Sequence, residues 1–312
     1  MRHEGGAGAG ARDGTTHDTT DRPGRLAVGV VGAGRAGAIL GAALARAGHT
    51  VVAASGDSDR SRRLAGEHLP DVPLVEPREV AARSRLVLLT VPDDVLPEVA
   101  ADLADHLAAG TLVVHAAGRY GIDVLEPATR RGGLPLALHP VMTFTGRPDD
   151  LARLAGCFFG VTAPDPLRPI AEALVVEMGG EPMWVPEGRR GLYHAALANA
   201  ANHLVTLVAD SVELLREAGV ADPARMVGPL LGASLDNSLR FGMGALTGPV
   251  ARGDAATVAR HVEELRRVST EATAAYVAMA RLTADRALQV GLLAPEDAER
   301  LLDVLAGPGA RA

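Results

Sequence analysis

The stretch Leu26-Ala27-Val28-Gly29-Val30-Val31-Gly32-Ala33-Gly34-Arg35-Ala36-Gly37 decides the fold. An apolar run leads into the pattern G-x-G-x-x-G, and an alanine-rich segment without proline follows. In a strand–turn–helix unit, the first glycine permits a tight turn and the second lets the backbone approach a pyrophosphate. The third lets the helix pack closely on the strand. The stretch therefore predicts a dinucleotide-binding site at the N-terminus of a helix.

Further apolar runs alternate with helical segments in the rest of the first half. Strands are predicted over residues 50–55, 86–91 and 111–115, a helix over residues 95–107, and shorter strands over residues 136–139, 157–162 and 182–185. Continuous apolar strands separated by helices are typical of a parallel sheet that is covered on both faces. We therefore predict an α/β fold, with a Rossmann-type dinucleotide-binding domain over residues 26–186.

The remainder of the chain predicts helices only. A long helix is expected over residues 191–218, ending at Gly219, and one or two helices over residues 222–240 with a break or kink at Gly228-Pro229. Asp254 predicts the cap of a long helix running towards Gly291, and residues 295–306 form a last amphipathic helix. We predict an all-helical substrate and dimerisation domain over residues 187–308, and a disordered tail over residues 1–25.

Length and charge restrict the classes of function. The chain has 312 residues, and its 31 basic and 38 acidic residues give a net charge of −7. An acidic protein lacks the basic surface that nucleic acids and anionic membranes require, so neither partner is expected. Residues 1–25 lack the apolar segment of a secretory signal, and residues 191–209 are too polar to span a membrane. We expect a cytoplasmic protein that acts on a small molecule.

The absence of lysine and the presence of one cysteine exclude several kinds of catalytic and metal-binding chemistry. All 31 basic residues are arginines, so Schiff-base formation, a lysine phosphate loop and a lysine proton donor are excluded. The single cysteine, Cys157, excludes an intrachain disulfide framework and a cysteine zinc site, and its apolar surroundings predict a small core residue. No metal site is expected.

The choice of nicotinamide cofactor depends on the residues after the second predicted strand. That strand ends at Ser55, and Ser58 and Arg60 follow. Hydroxyl and guanidinium groups suit the 2′-phosphate of NADP. Asp57 and Asp59 leave NAD open, because either carboxylate could accept hydrogen bonds from the ribose hydroxyls. We favour NADP over NAD.

Two later segments complete the predicted cofactor site. Val91-Pro92 and the segment from Ala116 to Gly118 follow two predicted strands at their carboxyl ends, where open α/β sheets bind their ligands. Small residues there would let the nicotinamide half of the cofactor lie close to the backbone. The predicted cofactor-binding residues are Gly32, Gly34, Arg35, Ala36, Gly37, Ser55, Ser58, Arg60, Val91, Pro92, Ala116 and Gly118.

Five residues are candidates for catalysis: His194, Asn202, Thr247, His139 and Arg252. His194 and Asn202 share a face of a predicted helix, and a substrate or the carbonyls of a neighbouring helix could be their partners. Thr247 and Arg252 belong to a Gly/Pro loop that could clamp a carboxylate or phosphate, or could be a plain interhelical turn. His139 and His115 end predicted strands at the ligand edge, and a structural histidine is an equal alternative for each.

The chain resembles the bacterial family that joins a Rossmann-like domain to a helical domain of unassigned function, among the 6-phosphogluconate-dehydrogenase-like reductases. The resemblance covers about residues 26–287. It is carried by Val30-Val31-Gly32-Ala33-Gly34-Arg35-Ala36-Gly37, Thr90-Val91-Pro92-Asp93, His115-Ala116-Ala117-Gly118, His139-Pro140, Tyr193-His194-Ala195-Ala196 and the segment from Leu246 to Asp254.

This resemblance implies a homodimer whose helical domains pack together. Ketopantoate reductases of the superfamily carry a lysine and two asparagines at four-residue steps, and here His194, Ala198 and Asn202 stand at those positions. A ketopantoate-type activity is therefore suggested, although its usual proton donor is replaced. Pyrroline-carboxylate reductases of the same superfamily reduce an imine without a lysine acid.

We expect an NADPH-dependent reductase of a small 2-oxo acid or imine. His194, or otherwise His139, would supply the proton, Asn202 and Thr247 would hydrogen-bond the developing oxyanion, and Arg252 would hold a substrate carboxylate. One alternative is a dinucleotide-binding sensor or partner protein without turnover. Another is hydride transfer between NADP and a deazaflavin.

Overall fold

The computed structural model describes residues 24–306, so nearly all of the predicted tail lies outside the described residues. The chain divides into two compact units, residues 24–198 and residues 199–306, and each is described by itself. The division falls inside a long helix. The boundary between two functional domains after residue 186 stays a prediction.

The first unit is built on one seven-stranded sheet. Its strands are β1 (Ala27–Val31), β2 (Thr50–Ser55), β3 (Leu86–Leu89), β4 (Leu112–His115), β5 (Leu134–Pro140), β6 (Phe158–Thr162) and β7 (Glu181–Trp184), in the spatial order β2-β1-β3-β4-β5-β6-β7. Strands β1 to β5 pair in parallel, β6 runs antiparallel to β5, and β7 runs parallel to β6. The predicted α/β fold is confirmed, and the reversal at β6 is a feature that the sequence had not indicated.

Alternate side chains of the strands pack in two separate hydrophobic cores, one on each face of the sheet. On one face, Val28, Val30 and Leu88 belong to a large cluster that α1 (Arg35–Arg46) covers. On the other face, Val31 and Leu89 pack in a second cluster. Because successive side chains of a strand point to opposite faces, near-continuous apolar strands are expected only when both faces are covered.

Six further α-helices complete the first unit: α2 (Asp59–His68), α3 (Pro77–Arg83), α4 (Leu96–Leu103), α5 (Glu126–Arg130), α6 (Asp149–Arg153) and α7 (Arg168–Glu177). The helix predicted over residues 95–107 is shorter than expected. It ends at Leu103, and a 3₁₀ turn over Ala104–His106 follows.

The second unit contains helices only. They are α8 (Arg190–Glu217), whose first nine residues belong to the first unit, α9 (Pro223–Phe241), α10 (Ala255–Val268), α11 (Thr270–Gln289) and α12 (Pro295–Ala306). Gly219 follows α8 with a φ of 83°, as expected of a glycine after a helix C-terminus. Val258, Ala284 and Leu301 belong to a core that α10, α11 and α12 share.

One helix prediction for this unit was wrong. The single helix from Asp254 towards Gly291 is interrupted at Ser269, whose backbone is extended (φ −151°, ψ 128°) and whose hydroxyl accepts a hydrogen bond from the Ala272 N–H at 3.0 Å. Serine is a favoured cap because its hydroxyl satisfies a free N–H of the first turn. Of the one or two helices predicted over residues 222–240, the structure has one, α9, which continues through Pro229.

Among the described residues, no helix has both the length and the apolar composition needed to cross a membrane.

Candidate functional site

The glycine-rich turn after β1 is held against the end of β2. Gly32 has a φ of 92°, a region that favours glycine, and its N–H and the N–H of Ala33 lie 3.2 and 2.7 Å from the Ser55 carbonyl oxygen. A Cβ on Gly37 would overlap the Gly32 carbonyl oxygen and the Thr90 hydroxyl. Helix α1 therefore approaches β1 as closely as it does only because residue 37 has no side chain.

Gly34 differs from its two neighbours of the motif because it faces open space. A Cβ there would meet no atom nearer than the Gly32 carbonyl oxygen at 4.0 Å. Gly34 caps α1 without a side-chain hydrogen bond, and the first backbone bond of the helix runs from the Ala38 N–H to the Gly34 carbonyl. The N–H groups of the first turn therefore lack helical acceptors and present a partial positive charge, which suits an anion.

A cleft of about 990 Å³ adjoins this turn, entirely within the first unit. Its volume lies in the range of ligand-binding pockets. Nine predicted cofactor-binding residues line it: Gly32, Gly34, Arg35, Ala36, Ser55, Ser58, Arg60, Val91 and Pro92. Thr90, Thr143 and Phe144 also line the cleft and were not predicted. A cradle of glycine backbone, hydroxyls and two arginines fits a phosphate-bearing dinucleotide.

The polar groups after β2 have distinct neighbours. Ser58 caps α2 by accepting a hydrogen bond from the Ser61 N–H at 3.1 Å. Arg62 donates to the Asp59 carboxylate at 2.8 Å, so this carboxylate already has a cationic partner. Asp57 and Arg60 both line the cleft. Asp57 and Glu98 are the acidic residues among those that line the cleft, and Asp57 is the one that adjoins Ser58 in sequence.

His115 is a structural histidine at the end of β4. Its Nδ1 accepts a hydrogen bond from the Ala117 N–H at 3.2 Å, so its Nε2 carries the hydrogen that is donated to the Gly121 carbonyl at 2.7 Å. Complete burial, with Arg190 nearby, lowers the pKa of His115 to about 4. Both ring nitrogens are used to hold the turn after β4, which contains Ala116 and Gly118.

His139 and His194 come together at the next position along the same sheet edge. Their ring centroids are 6.1 Å apart, and a Cβ on Gly118 would overlap His194 Nδ1 and lie 3.0 Å from His139 Nε2. Burial, followed by the charges of Arg190, His194 and His115, lowers the pKa of His139 to about 4. Gly118 therefore faces both imidazoles. Among the described residues, Nδ1 of His194 is buried without a hydrogen-bond partner.

Two residues of this cluster were missed by the sequence analysis. The Tyr193 hydroxyl lies 2.8 Å from His139 Nδ1. Arg190 is 1% exposed and donates to the Thr162 hydroxyl at 2.8 Å and to the Ala137 and Gly160 carbonyls at 2.9 and 3.0 Å. Burial lowers the pKa of Arg190. Its Nη1 has no hydrogen-bond partner in the part of the chain that the structure describes.

The remaining catalytic candidates belong to the second unit. Asn202 is an exposed residue of α8, and Thr247 and Arg252 are exposed residues of the loop between α9 and α10. The Arg252 N–H donates to the Gly248 carbonyl at 3.1 Å, and Asp254 caps α10 through the Thr257 N–H at 3.0 Å. The predicted cap is confirmed. The catalytic roles of Asn202, Thr247 and Arg252 stay predictions.

Two known family models match separate parts of the chain. Residues 12–140 match the model of a Rossmann-like domain, and residues 157–283 match the model of a domain of unknown function, DUF2520. This is the composition that the resemblance predicted.

Solved structures share the fold over most of the chain. An NADP oxidoreductase candidate from Bacteroides fragilis is 20% identical with a TM-score of 0.71, and it covers 84% of this chain and 98% of its own. An imine reductase from Pseudomonas sp. is 18% identical with a TM-score of 0.61, covering 90% and 99%. A pyrroline carboxylate reductase from Plasmodium falciparum, solved with NADP bound, is 11% identical with a TM-score of 0.55, covering 88% and 98%. At these low sequence identities, the structural similarity shows a shared fold and nothing more.

Curated relatives match by sequence over part of their length. A glycerol-3-phosphate dehydrogenase [NAD(P)+] from Bradyrhizobium sp. is 32% identical over 169 residues, 49% of this chain and 50% of the relative. Another from Azorhizobium caulinodans is 31% identical over 221 residues, 64% of each chain. The chain thus spans between half and just under two thirds of the length of these relatives.

Proposed function

We propose that the protein is an NAD(P)-dependent oxidoreductase that acts on a C=O or C=N group. The observation that carries the proposal is the order of the features along one sheet edge. In the strand order β1-β3-β4-β5, the glycine turn, Val91-Pro92, the turn at Gly118 and His139 follow one another at the carboxyl ends of four parallel strands. A dinucleotide bound at the glycine turn could therefore direct its reactive end towards the two histidines.

The comparisons support the same class. The curated relatives use NAD(P)+ by name, and the pyrroline carboxylate reductase structure holds NADP. A bound nicotinamide would supply or accept the hydride. The residues of this chain would bind the cofactor, hold the sp² carbon next to it and stabilise the charge that develops on oxygen or nitrogen.

Within this class we infer a reductase of a small 2-oxo acid or imine. Reduction requires a proton as well as a hydride, and the chain contains no lysine to supply it. His139 and His194 both face Gly118, so one of them would interact with the reduced atom. The roles assigned from the sequence to Asn202, Thr247 and Arg252 remain part of this proposal.

A substrate screen tests the activity. Purified protein would be mixed with NADPH and a panel of 2-oxo acids and cyclic imines, and the loss of nicotinamide absorbance followed. We expect turnover with a member of the panel and a large loss of kcat in His194→Ala, with the Kd for NADPH nearly unchanged. Tight NADPH binding without consumption of any compound would instead favour a dinucleotide-binding sensor without turnover. A requirement for a deazaflavin would favour hydride transfer between NADP and a deazaflavin.

NADP preference is a separate proposal that rests on Ser55, Ser58 and Arg60 beside the cleft. Arg60→Ala should raise the KM for NADPH about tenfold and leave the KM for NADH within about twofold, because only NADPH carries the 2′-phosphate. Arg46→Ala is a matched control, since Arg46 is an exposed arginine at the far end of α1 and does not line the cleft. Equal effects on both cofactors in Arg60→Ala would reject the preference.

A second candidate substrate is glycerol 3-phosphate. The 31–32% identity to glycerol-3-phosphate dehydrogenases favours it, over the part of those proteins that the chain spans. The same protein would be assayed with glycerol 3-phosphate and NADP⁺ or NAD⁺. If the protein reduces the nicotinamide with glycerol 3-phosphate faster than it oxidises NADPH with any 2-oxo acid or imine, glycerol 3-phosphate is the better-supported substrate.

We also propose that the protein is a homodimer that buries α9. This helix has a single buried residue, Pro223, while Met226 and Leu230 on one side and Leu235 and Leu239 on the other are 53–80% exposed. A helix with apolar residues on opposite sides is normally enclosed by other elements. Light scattering should give twice the chain mass, and Leu235→Glu with Leu239→Glu should give a monomer. A monomeric native protein would reject the dimer.

A further inference from the structure

The contact between Tyr193 and His139 can be resolved into a donor and an acceptor. Its two atoms are the Tyr193 hydroxyl and His139 Nδ1, 2.8 Å apart, with the rings edge to face at 5.6 Å between centroids. A neutral imidazole has one protonated nitrogen, which donates a hydrogen bond, and one bare nitrogen, which accepts one. The surroundings of the Tyr193 hydroxyl and of the His139 imidazole show which imidazole nitrogen carries the hydrogen.

The position of the Tyr193 hydroxyl decides which of the two groups donates. It lies against Gly160 of β6, where any Cβ would overlap it, and the Gly160 carbonyl accepts from Arg190 at 3.0 Å. Among the described residues, His139 Nδ1 is the one hydrogen-bond partner of this hydroxyl. If Nδ1 were the donor, the hydroxyl hydrogen would have no acceptor in the described part of the chain, which is unfavourable for a half-buried group. The hydroxyl hydrogen is therefore directed to His139.

The surroundings of His139 keep its ring neutral. The charged or titratable groups that act on it are Arg190, His194 and His115, and each of them disfavours a second positive charge. With its pKa lowered to about 4, His139 is a neutral imidazole near pH 7. If its Nδ1 accepts from Tyr193, the single ring hydrogen must sit on Nε2, the atom that faces Gly118.

We propose that Tyr193 is a positioning residue that fixes His139 as the neutral tautomer with its hydrogen on Nε2. The imidazole then offers a hydrogen-bond donor to the turn at Gly118, where, on the function proposed above, the oxygen or nitrogen of the reacting group lies. A neutral imidazole polarises such a group without carrying a positive charge into the site. The chain thereby replaces the missing lysine with a donor whose direction is set by Tyr193.

Nitrogen NMR tests the proposal on the protein without cofactor or substrate. Two-bond ¹H–¹⁵N spectra of histidine-labelled protein at pH 7 distinguish the two tautomers, and His139→Gln identifies the His139 signals. We expect His139 in the Nε2–H form in the native protein. In Tyr193→Phe the ring loses the donor to Nδ1, so the His139 nitrogens should move towards the values of a tautomer mixture.

The second unit offers a matched control. Tyr276 contacts His261 Nδ1 at 2.9 Å in a pair of the same shape, and Tyr276→Phe should leave the His139 signals unchanged. An Nδ1–H tautomer in the native protein, or a His139 spectrum that Tyr193→Phe does not move, would overturn the proposal. The native spectrum decides the point even if Tyr193→Phe does not fold.

A kinetic measurement separates this inference from the proposed function. Tyr193→Phe should lower kcat about tenfold while the KM for NADPH stays within about twofold, because the cofactor cleft is untouched. An unchanged kcat in Tyr193→Phe would also contradict the positioning role. If no compound is reduced, the proposed function fails, and the tautomer in the spectrum still confirms or rejects the role of Tyr193.

Discussion

The molecule contains two histidine–tyrosine pairs of nearly the same geometry in different surroundings. In the first unit, His139 Nδ1 and the Tyr193 hydroxyl are 2.8 Å apart, with ring centroids at 5.6 Å and planes at 89°. In the second unit, the corresponding values for His261 and Tyr276 are 2.9 Å, 5.8 Å and 83°. Burial raises the pKa of both tyrosines. The two pairs therefore differ neither in hydrogen-bond geometry nor in the direction of the tyrosine pKa shift.

The difference lies in what surrounds the histidine. His139 ends a strand at the ligand edge, faces Gly118 and lies near the buried cation Arg190, whereas His261 is an exposed residue of α10. Desolvation strengthens electrostatic interactions, so the same hydrogen bond has a larger effect on the buried ring than on the exposed one. A hydrogen-bonded pair therefore indicates a functional site only together with burial, nearby charge and an accessible cleft.

The largest expected difference between the pairs is in turnover. His139→Gln should lower kcat about 100-fold or more, since on the proposed function it removes an imidazole that faces the reacting group. His261→Gln should leave kcat within about twofold. Steady-state kinetics of both variants with the substrate found by screening would measure this contrast. Comparable losses in the two variants would show that the second pair also contributes to catalysis.

Acid should destabilise the protein through the buried imidazoles. The pKa of His115 is about 4 in the folded protein and near 6.5 when unfolded, so the unfolded chain binds more protons between these values. Its contribution is complete above pH 6.5 and is lost as the pH falls towards 4, by ~3 kcal/mol in free energy of unfolding.

Urea unfolding between pH 7 and 4 measures this loss. The free energy of unfolding of His115→Gln should have a shallower pH dependence than that of the native protein over this range. Parallel curves for the native protein and His115→Gln would show that His115 does not carry the expected proton linkage.

The order of elements could be predicted because it depends on local pattern. Strand β2 begins and ends at the predicted residues, and the glycine turn is visible directly in the sequence. The interruption at Ser269 was missed because a serine inside a helical pattern becomes a cap only when the backbone turns there. The reversal of β6 is a matter of pairing between distant segments, which periodicity does not encode.

The candidate site could be predicted only where backbone geometry demands a residue type. The glycines of the turn after β1 follow from that demand, and nine residues that line the cleft were named in advance. Arg190 could not be, because one arginine among 31 shows no sign of burial until β5 and β6 bring the Ala137 and Gly160 carbonyls to it. The pairing of Tyr193 with His139 likewise joins residues 54 positions apart.

A smaller effect is expected from filling the space between the turn at Gly118 and the two imidazoles of His139 and His194. Gly118→Ala places a methyl group against His139 and His194, so it should destabilise the fold by ~1–3 kcal/mol and lower kcat at the same time. Gly66→Ala is the control, since Gly66 is an exposed residue of α2 with nothing within 4 Å of an added Cβ. It should stabilise the helix slightly. Thermal unfolding that ranks Gly66→Ala below Gly118→Ala would refute this account.

The smallest effect is the strength of each hydrogen bond itself. A double-mutant cycle of His139→Gln and Tyr193→Phe should give a coupling of ~1 kcal/mol in the free energy of unfolding, because the bond is shielded from water and each partner leaves the other unsatisfied. The cycle of His261→Gln and Tyr276→Phe should give a coupling too small to measure, because water replaces either partner at an exposed position. Equal couplings would mean that burial does not strengthen the first bond. The distinct behaviour of His139 would then have to come from Arg190 and the neighbouring imidazoles alone, so a third cycle pairing His139→Gln with His194→Ala would be needed to locate it.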